Sequence, residues 1–159
     1  MSRLLCLLAL VAGFAVVQHT SVLAQPTQSA TVKAVLFYSP TCPHCHTVIN
    51  ETLLPLTEQY GDRFQVIGID ITQSGGQPLY DAATARFQIP QERMGVPRLI
   101  VGETVLIGSL EIPQQLPAII EAGLSSGGID WPDIPGLAEA MAASQQAEQQ
   151  AAGPETSAA

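Results

Sequence analysis

The chain has 159 residues, 47% of them hydrophobic and 13% charged, with a formal net charge of −8. That composition favours a globular body of about one domain over a disordered chain. Its few lysines and arginines form no cluster, which argues against nucleic acid and anionic membrane surfaces as partners.

Residues 1–24 read as a secretory signal: Arg3 supplies a positive start, Leu4 to Val17 is an apolar stretch, and Val22-Leu23-Ala24 resembles a small-residue cleavage site. The alternative is an uncleaved N-terminal anchor, although a membrane span needs about 20 apolar residues. Either reading places the folded part outside the cytoplasm, where disulfides are permitted. Cys6 and His19 would leave with the signal, so every cysteine and histidine of the mature chain would lie between Cys42 and His46.

Residues 25–30 are polar and read as a tether. Thr31 to Ser39, rich in β-branched and aromatic residues, predicts a buried central strand. A helix follows from Pro43, which suits a first helical turn because its missing amide hydrogen would be unpaired there anyway. Apolar positions Val48, Ile49, Leu53 and Leu54 carry it towards Tyr60, with a kink expected at Pro55 and a stop at Gly61. The Asn50-Glu51-Thr52 sequon falls inside this helix and is read as chance. Phe64 to Ile71 predicts a second strand. Ser74-Gly75-Gly76 then leads into a short helix over Pro78 to Phe87.

Arg98 to Val101 and Thr104 to Ile107 flank Gly102-Glu103, a two-residue turn of hairpin type. Ile112 to Leu124 has helical spacing through Leu116, Ile119 and Ile120, and ends at Ser125-Ser126-Gly127-Gly128. The expected fold is therefore α/β, with a mixed central sheet of about four strands flanked by helices, spanning residues 31–128. Residues 129–159 hold a Trp/Pro segment and an Ala/Gln/Glu-rich stretch, read as a frayed helix running into a disordered tail. Trp131 is expected to pack against the domain as a terminal clasp.

The chemistry concentrates in Cys42-Pro43-His44-Cys45-His46. Two cysteines three positions apart close too small a loop to restrain an unfolded chain much, so a reactive role explains them better than a stabilising one. Cys-x-x-Cys-His is also the pattern of covalent c-type haem attachment through Cys42, Cys45 and His46. Haem attachment demands a different surrounding fold, with an apolar pocket for the macrocycle. Zinc is disfavoured because Cys42, Cys45 and His46 fall on one side of the helix and His44 on the other, and one short run cannot easily close four bonds. A non-catalytic alternative is a secreted binding module with an inert Cys42–Cys45 disulfide.

A buried strand feeding Cys-x-x-Cys at a helix start, followed by Gly95-Val96-Pro97 just before a hairpin, resembles the thioredoxin-like superfamily over Thr31 to Ser125. The resemblance implies a compact thioredoxin-like fold with Pro97 as a cis-proline beside the active-site sulfurs. The pair Pro43-His44 resembles that of DsbA-type thiol oxidases, yet only about 25 residues separate Ile71 from Pro97, leaving no room for the helical insertion of those enzymes. Where thioredoxins carry a buried acid, this chain has Leu36.

On this reading Cys42 is the exposed nucleophile, its sulfur facing unpaired backbone amides at the helix start. Cys45 resolves the mixed disulfide. His44 is expected to favour the Cys42 thiolate by hydrogen bonding or by charge, while His46 is a helix-surface residue. Cysteine-containing client proteins would dock along Val96 and Pro97 by strand addition. The expected function is thiol:disulfide exchange outside the cytoplasm, as an oxidant, by a monomer whose redox-active Cys42–Cys45 disulfide is its only redox group. Its electrons would pass to or from a membrane protein of the DsbB or vitamin K epoxide reductase type, or a membrane thiol reductant.

Overall fold

The computed structural model describes residues 30–151. Cys6, His19, the signal or anchor reading and nearly all of the tether lie outside the described residues. Among the described residues, no helix is long and apolar enough to cross a membrane.

Four strands form one sheet: β1 (Val32–Tyr38), β2 (Phe64–Asp70), β3 (Arg98–Val101) and β4 (Thr104–Ile107), in the order β2-β1-β3-β4. β1 pairs parallel with β2 and antiparallel with β3, and β3 pairs antiparallel with β4. The sheet is therefore mixed, as the sequence pattern predicts. A parallel β1–β2 pair needs a long crossover, and the helical stretch after β1 supplies it.

Successive strand residues face opposite sides, and the two sides are covered by different helices. Val32, Ala34, Leu36, Leu99, Val101 and Leu106 point into one core, against α1 (Pro43–Val48), α2 (Leu54–Tyr60) and α4 (Gly108–Ser125). Val35, Phe37 and Ile100 point into the other. There they meet Tyr80 and Ala83 of α3 (Gly76–Arg86) and Leu137 of α5 (Leu137–Ala151). Burial of β1 on both faces explains why it reads as a continuous apolar run and not as an alternation. The chain thus has an α/β architecture with helices on both faces of a four-stranded mixed sheet.

Three elements depart in detail from the sequence reading. The kink expected at Pro55 is a π-helical segment, Ile49–Leu53, joining α1 to α2. Proline brings no N–H to the carbonyl four residues back and crowds it. The wider turn, in which the Leu54 N–H donates to Ile49 O, relieves that crowding just ahead of the ring. α4 begins at Gly108, four residues earlier than the apolar spacing indicates, because the Glu111 carboxylate reaches back to accept the Ile107 N–H at 3.0 Å. The third departure lies after Gly128, where the chain returns to pair with the start of β1, an inner strand of the sheet. Ile129 N donates to Thr31 O at 2.8 Å and Lys33 N donates to Ile129 O at 2.9 Å. Trp131, by contrast, packs against the second core as the expected clasp, with the Lys33 ammonium 5.7 Å from its ring centroid. α5 continues from this clasp with Leu137 buried, and the residues beyond 151 lie outside those described.

Candidate active site

Cys42 caps α1 from its N-terminal side in an extended conformation (φ −88°, ψ 113°), with Pro43 at the first helical position. An N-cap side chain with a lone pair can satisfy one of the orphan amides of the first turn. Here the cap is sulfur: the Cys45 N–H points at Cys42 Sγ, 3.3 Å away. The Cys42 thiol in turn donates to Val96 O at 3.7 Å, across 54 positions of sequence. The Val96–Pro97 bond is cis. The loop before β3 and the start of α1 therefore meet at one sulfur.

The two cysteines differ sharply in environment. Cys42 is partly exposed, whereas Cys45 is 1% exposed and lies beneath the helix start. Burial pushes the Cys45 thiol from 9.0 up to about 11; its hydrogen bond to Cys42 and the charge of that neighbour add to the rise, and a backbone hydrogen bond at Ser39 opposes it. Leu36 is buried in the first core, so no acid occupies that position.

His44 and His46 are both exposed. His44 Nδ1 lies 3.2 Å from Ser109 Oγ, at the start of α4. No hydrogen bond joins His44 to Cys42 among the described residues, so the hydrogen-bonding route expected for it is not the arrangement seen. His46 Nε2 lies 2.7 Å from Pro40 O, which makes it the donor to that carbonyl. Among the described residues no three His, Cys, Asp or Glu side chains converge as a metal-ligand group.

Beside the pair, His44, Val96, Ile107, Ser109 and Leu110 line an open cleft of about 340 Å³. Leu110 is 71% exposed at its rim. A larger cleft, about 490 Å³, lies between β2 and α5 and contains neither cysteine.

Two features near the site have no counterpart in the sequence reading. Arg93 pairs with Glu111 at 2.9 Å, tying the loop before β3 to the first turn of α4. That tether, with the Ile107 N–H, holds the Glu111 carboxyl below the usual carboxylate range. Arg98, counted above within an apolar run, is fully buried with no ion pair among the described residues. Burial holds its guanidinium below the ordinary value, opposed by the charge and hydroxyl of Tyr80. A charged residue opening a buried strand is the signal that would have found it.

No family model matches the chain, and no curated protein matches it. Among solved structures it is similar to a chain from the structural basis of the thiol resolving mechanism in yeast mitochondrial 1-Cys peroxiredoxin via glutathione/thioredoxin systems. The identity is 16%, over 60% of this chain and 82% of that one, with a TM-score of 0.42. A buckwheat glutaredoxin–glutathione complex is 18% identical over 63% of this chain and 83% of that chain (TM-score 0.37). The holo form of glutaredoxin C1 from Populus tremula x tremuloides is 19% identical over 62% and 79% (TM-score 0.37).

Proposed function

We propose that the protein is a thiol:disulfide oxidoreductase acting outside the cytoplasm as a donor of disulfides. The observation that carries this is the asymmetry of the pair: Cys42 is accessible at a helix start with an N–H 3.3 Å from its sulfur, while Cys45 is 1% exposed one turn on. A hydrogen bond from an amide to sulfur strengthens when the sulfur carries charge. Cys42 is therefore the better nucleophile and the sulfur that clients reach. Burial of Cys45 also supports thiol exchange over thioether attachment to haem, because both sulfurs would have to reach a large flat macrocycle.

The oxidised protein starts with a Cys42–Cys45 disulfide. A client thiolate attacks Cys42 Sγ, the Cys42–Cys45 bond breaks, and Cys45 leaves and takes up a proton, which its raised affinity favours. A second client thiolate then attacks the client sulfur of the mixed disulfide and releases Cys42. The client loses two electrons and gains a disulfide. The pair gains two electrons and must return them to an acceptor, for which a membrane thiol oxidase of DsbB or vitamin K epoxide reductase type is the proposed class. Val96 and Pro97 offer the client backbone an edge to pair with, and His44, when protonated, adds positive charge near the helix start. Proton delivery to Cys45 uses water, since Leu36 supplies no acid.

A glutathione redox titration tests the direction. The expected potential is less negative than about −200 mV, and replacing Pro43-His44 by Gly-Pro lowers it by roughly 30 mV for each pH unit of lost thiolate preference. A wild-type potential near −270 mV, that of thioredoxin, unchanged by the swap, would overturn the oxidant role.

A further inference from the structure

Arg98 is a guanidinium at 0% exposure with no carboxylate paired to it among the described residues. Its NH1 group donates to Thr84 Oγ1 at 2.8 Å, and its NH2 group donates to Tyr80 Oη at 2.7 Å and to Met94 Sδ at 3.5 Å. Its Nε–H finds no partner among the described residues. Burying such a charge is costly, and apolar residues of similar volume often serve a core as well or better. Stability alone is a poor reason for an arginine here.

The Tyr80 hydroxyl shows what the charge organises. A phenol has one hydrogen to donate and two lone pairs. One lone pair takes the Arg98 bond, and the other takes the Gly95 N–H at 2.9 Å. The hydrogen is left for Gly95 O, 3.3 Å away. All three capacities are used, and two of them grip the same residue. The ring cannot drift, since Phe37 packs edge-on at 5.7 Å and the Arg98 guanidinium lies 3.9 Å from its centroid. Gly95 itself has φ 145°, a conformation L side chains rarely adopt. The next residue, Val96, presents its carbonyl to Cys42.

We propose that Arg98 and Tyr80 are positioning residues for the client edge: the buried guanidinium fixes the Tyr80 hydroxyl, the hydroxyl fixes Gly95, and Gly95 sets Val96 beside Cys42. The purpose rests on the thiol-exchange reading; the mechanical link does not. Tyr80→Phe keeps the ring and removes the hydroxyl, and Arg98→Met keeps the volume and removes the donors. In single-turnover oxidation of a synthetic two-cysteine peptide by the oxidised full-length protein, each variant raises the half-saturating peptide concentration about ten-fold, the scale of one lost hydrogen bond. The saturated rate stays within about two-fold.

Hydrogen exchange of the Gly95 amide quickens about ten-fold or more in both variants, while amides of β1 do not change. Arg98→Met is expected to unfold no earlier than wild type on heating, which a merely structural role would not permit. The proposal is overturned if the folded variants keep wild-type Gly95 protection, or if peptide affinity falls only in step with the melting temperature. If the wild type oxidises no peptide, the thiol-exchange reading fails, and Gly95 exchange still decides the positioning link. Should Arg98→Met not fold, Tyr80→Phe decides it.

Discussion

The raised affinity of Cys45 for its proton makes the stability of the reduced protein depend on alkaline pH. In the unfolded chain this thiol titrates near 9.0, and in the folded protein burial moves it to about 11. The folded state therefore keeps a proton that the unfolded state loses. Stability from this source is fully present below about pH 9 and is lost as pH rises towards and through about 11. The loss amounts to about 1.4 kcal/mol by about pH 10 and about 2.7 kcal/mol when complete, at 1.36 kcal/mol per pH unit. The assay is urea unfolding of the reduced Cys42→Ser protein, in which Cys45 is the remaining thiol of the pair, beside Cys42→Ser/Cys45→Ala. Taking the difference cancels the titration of lysines and tyrosines common to both. The oxidised wild type is a second control, since its Cys45 carries no proton. Burial is the largest cause of the rise and survives Cys42→Ser, whereas the contributions of the Cys42 thiol do not, so the figures above are upper bounds for this variant. A difference flat to within about 0.5 kcal/mol between about pH 8 and pH 10 would refute the reasoning, because a sulfur 1% exposed would then be solvated as well as in the unfolded chain.

Cys45→Ser should trap mixed disulfides with client proteins on non-reducing gels and Cys42→Ser far fewer; equal trapping would contradict the division of labour between the sulfurs. Gly76→Ala would drive a methyl group into the backbone carbonyl of Asp70 at the entry to α3, and should lower the unfolding free energy in urea by about 1–3 kcal/mol. Glu111→Gln removes the Arg93 ion pair while leaving an acceptor for the Ile107 N–H, and should cost no more than about 1 kcal/mol at neutral pH, given that both partners are part-exposed. Because the folded Glu111 carboxyl lies below its ordinary 4.5, its contribution is present above that value and is lost as pH falls through the lower folded one, so the acid-unfolding profiles of wild type and variant should converge.

Much of the fold is legible because it is written in short-range patterns. A continuous apolar run before Cys42 has the composition of a strand covered on both faces, and β1 is such a strand. Gly102-Glu103 between two apolar runs has the length of a hairpin loop, and β3 pairs with β4 across it. Proline just after Cys42 marks a helix start, so the position of the first sulfur follows from a property of one residue. Each of these signals operates within a few residues, the range over which backbone sterics and side-chain periodicity act. The fit of Pro55 was only half legible: proline demands relief, but whether a kink or a π turn supplies it depends on what the neighbouring helix must pack against.

Tertiary structure alone decided the relations that make these parts a site. Val96 meets Cys42 across 54 positions because β3 is laid antiparallel on β1, and no local pattern encodes that distance. The same docking leaves Cys42 open and buries Cys45, which pushes the Cys45 thiol up. α5 lies on the second core because Ile134 and Leu137 complete a face that α3 leaves uncovered. Arg98 reads as a polar edge to an apolar run, and only the packing of Tyr80 and Thr84 over it reveals a buried charge at the base of the Cys42 loop. Sequence specifies each element through local sterics and apolar spacing. Proximity, desolvation and the pairing of distant polar groups exist only once the layers have closed on one another.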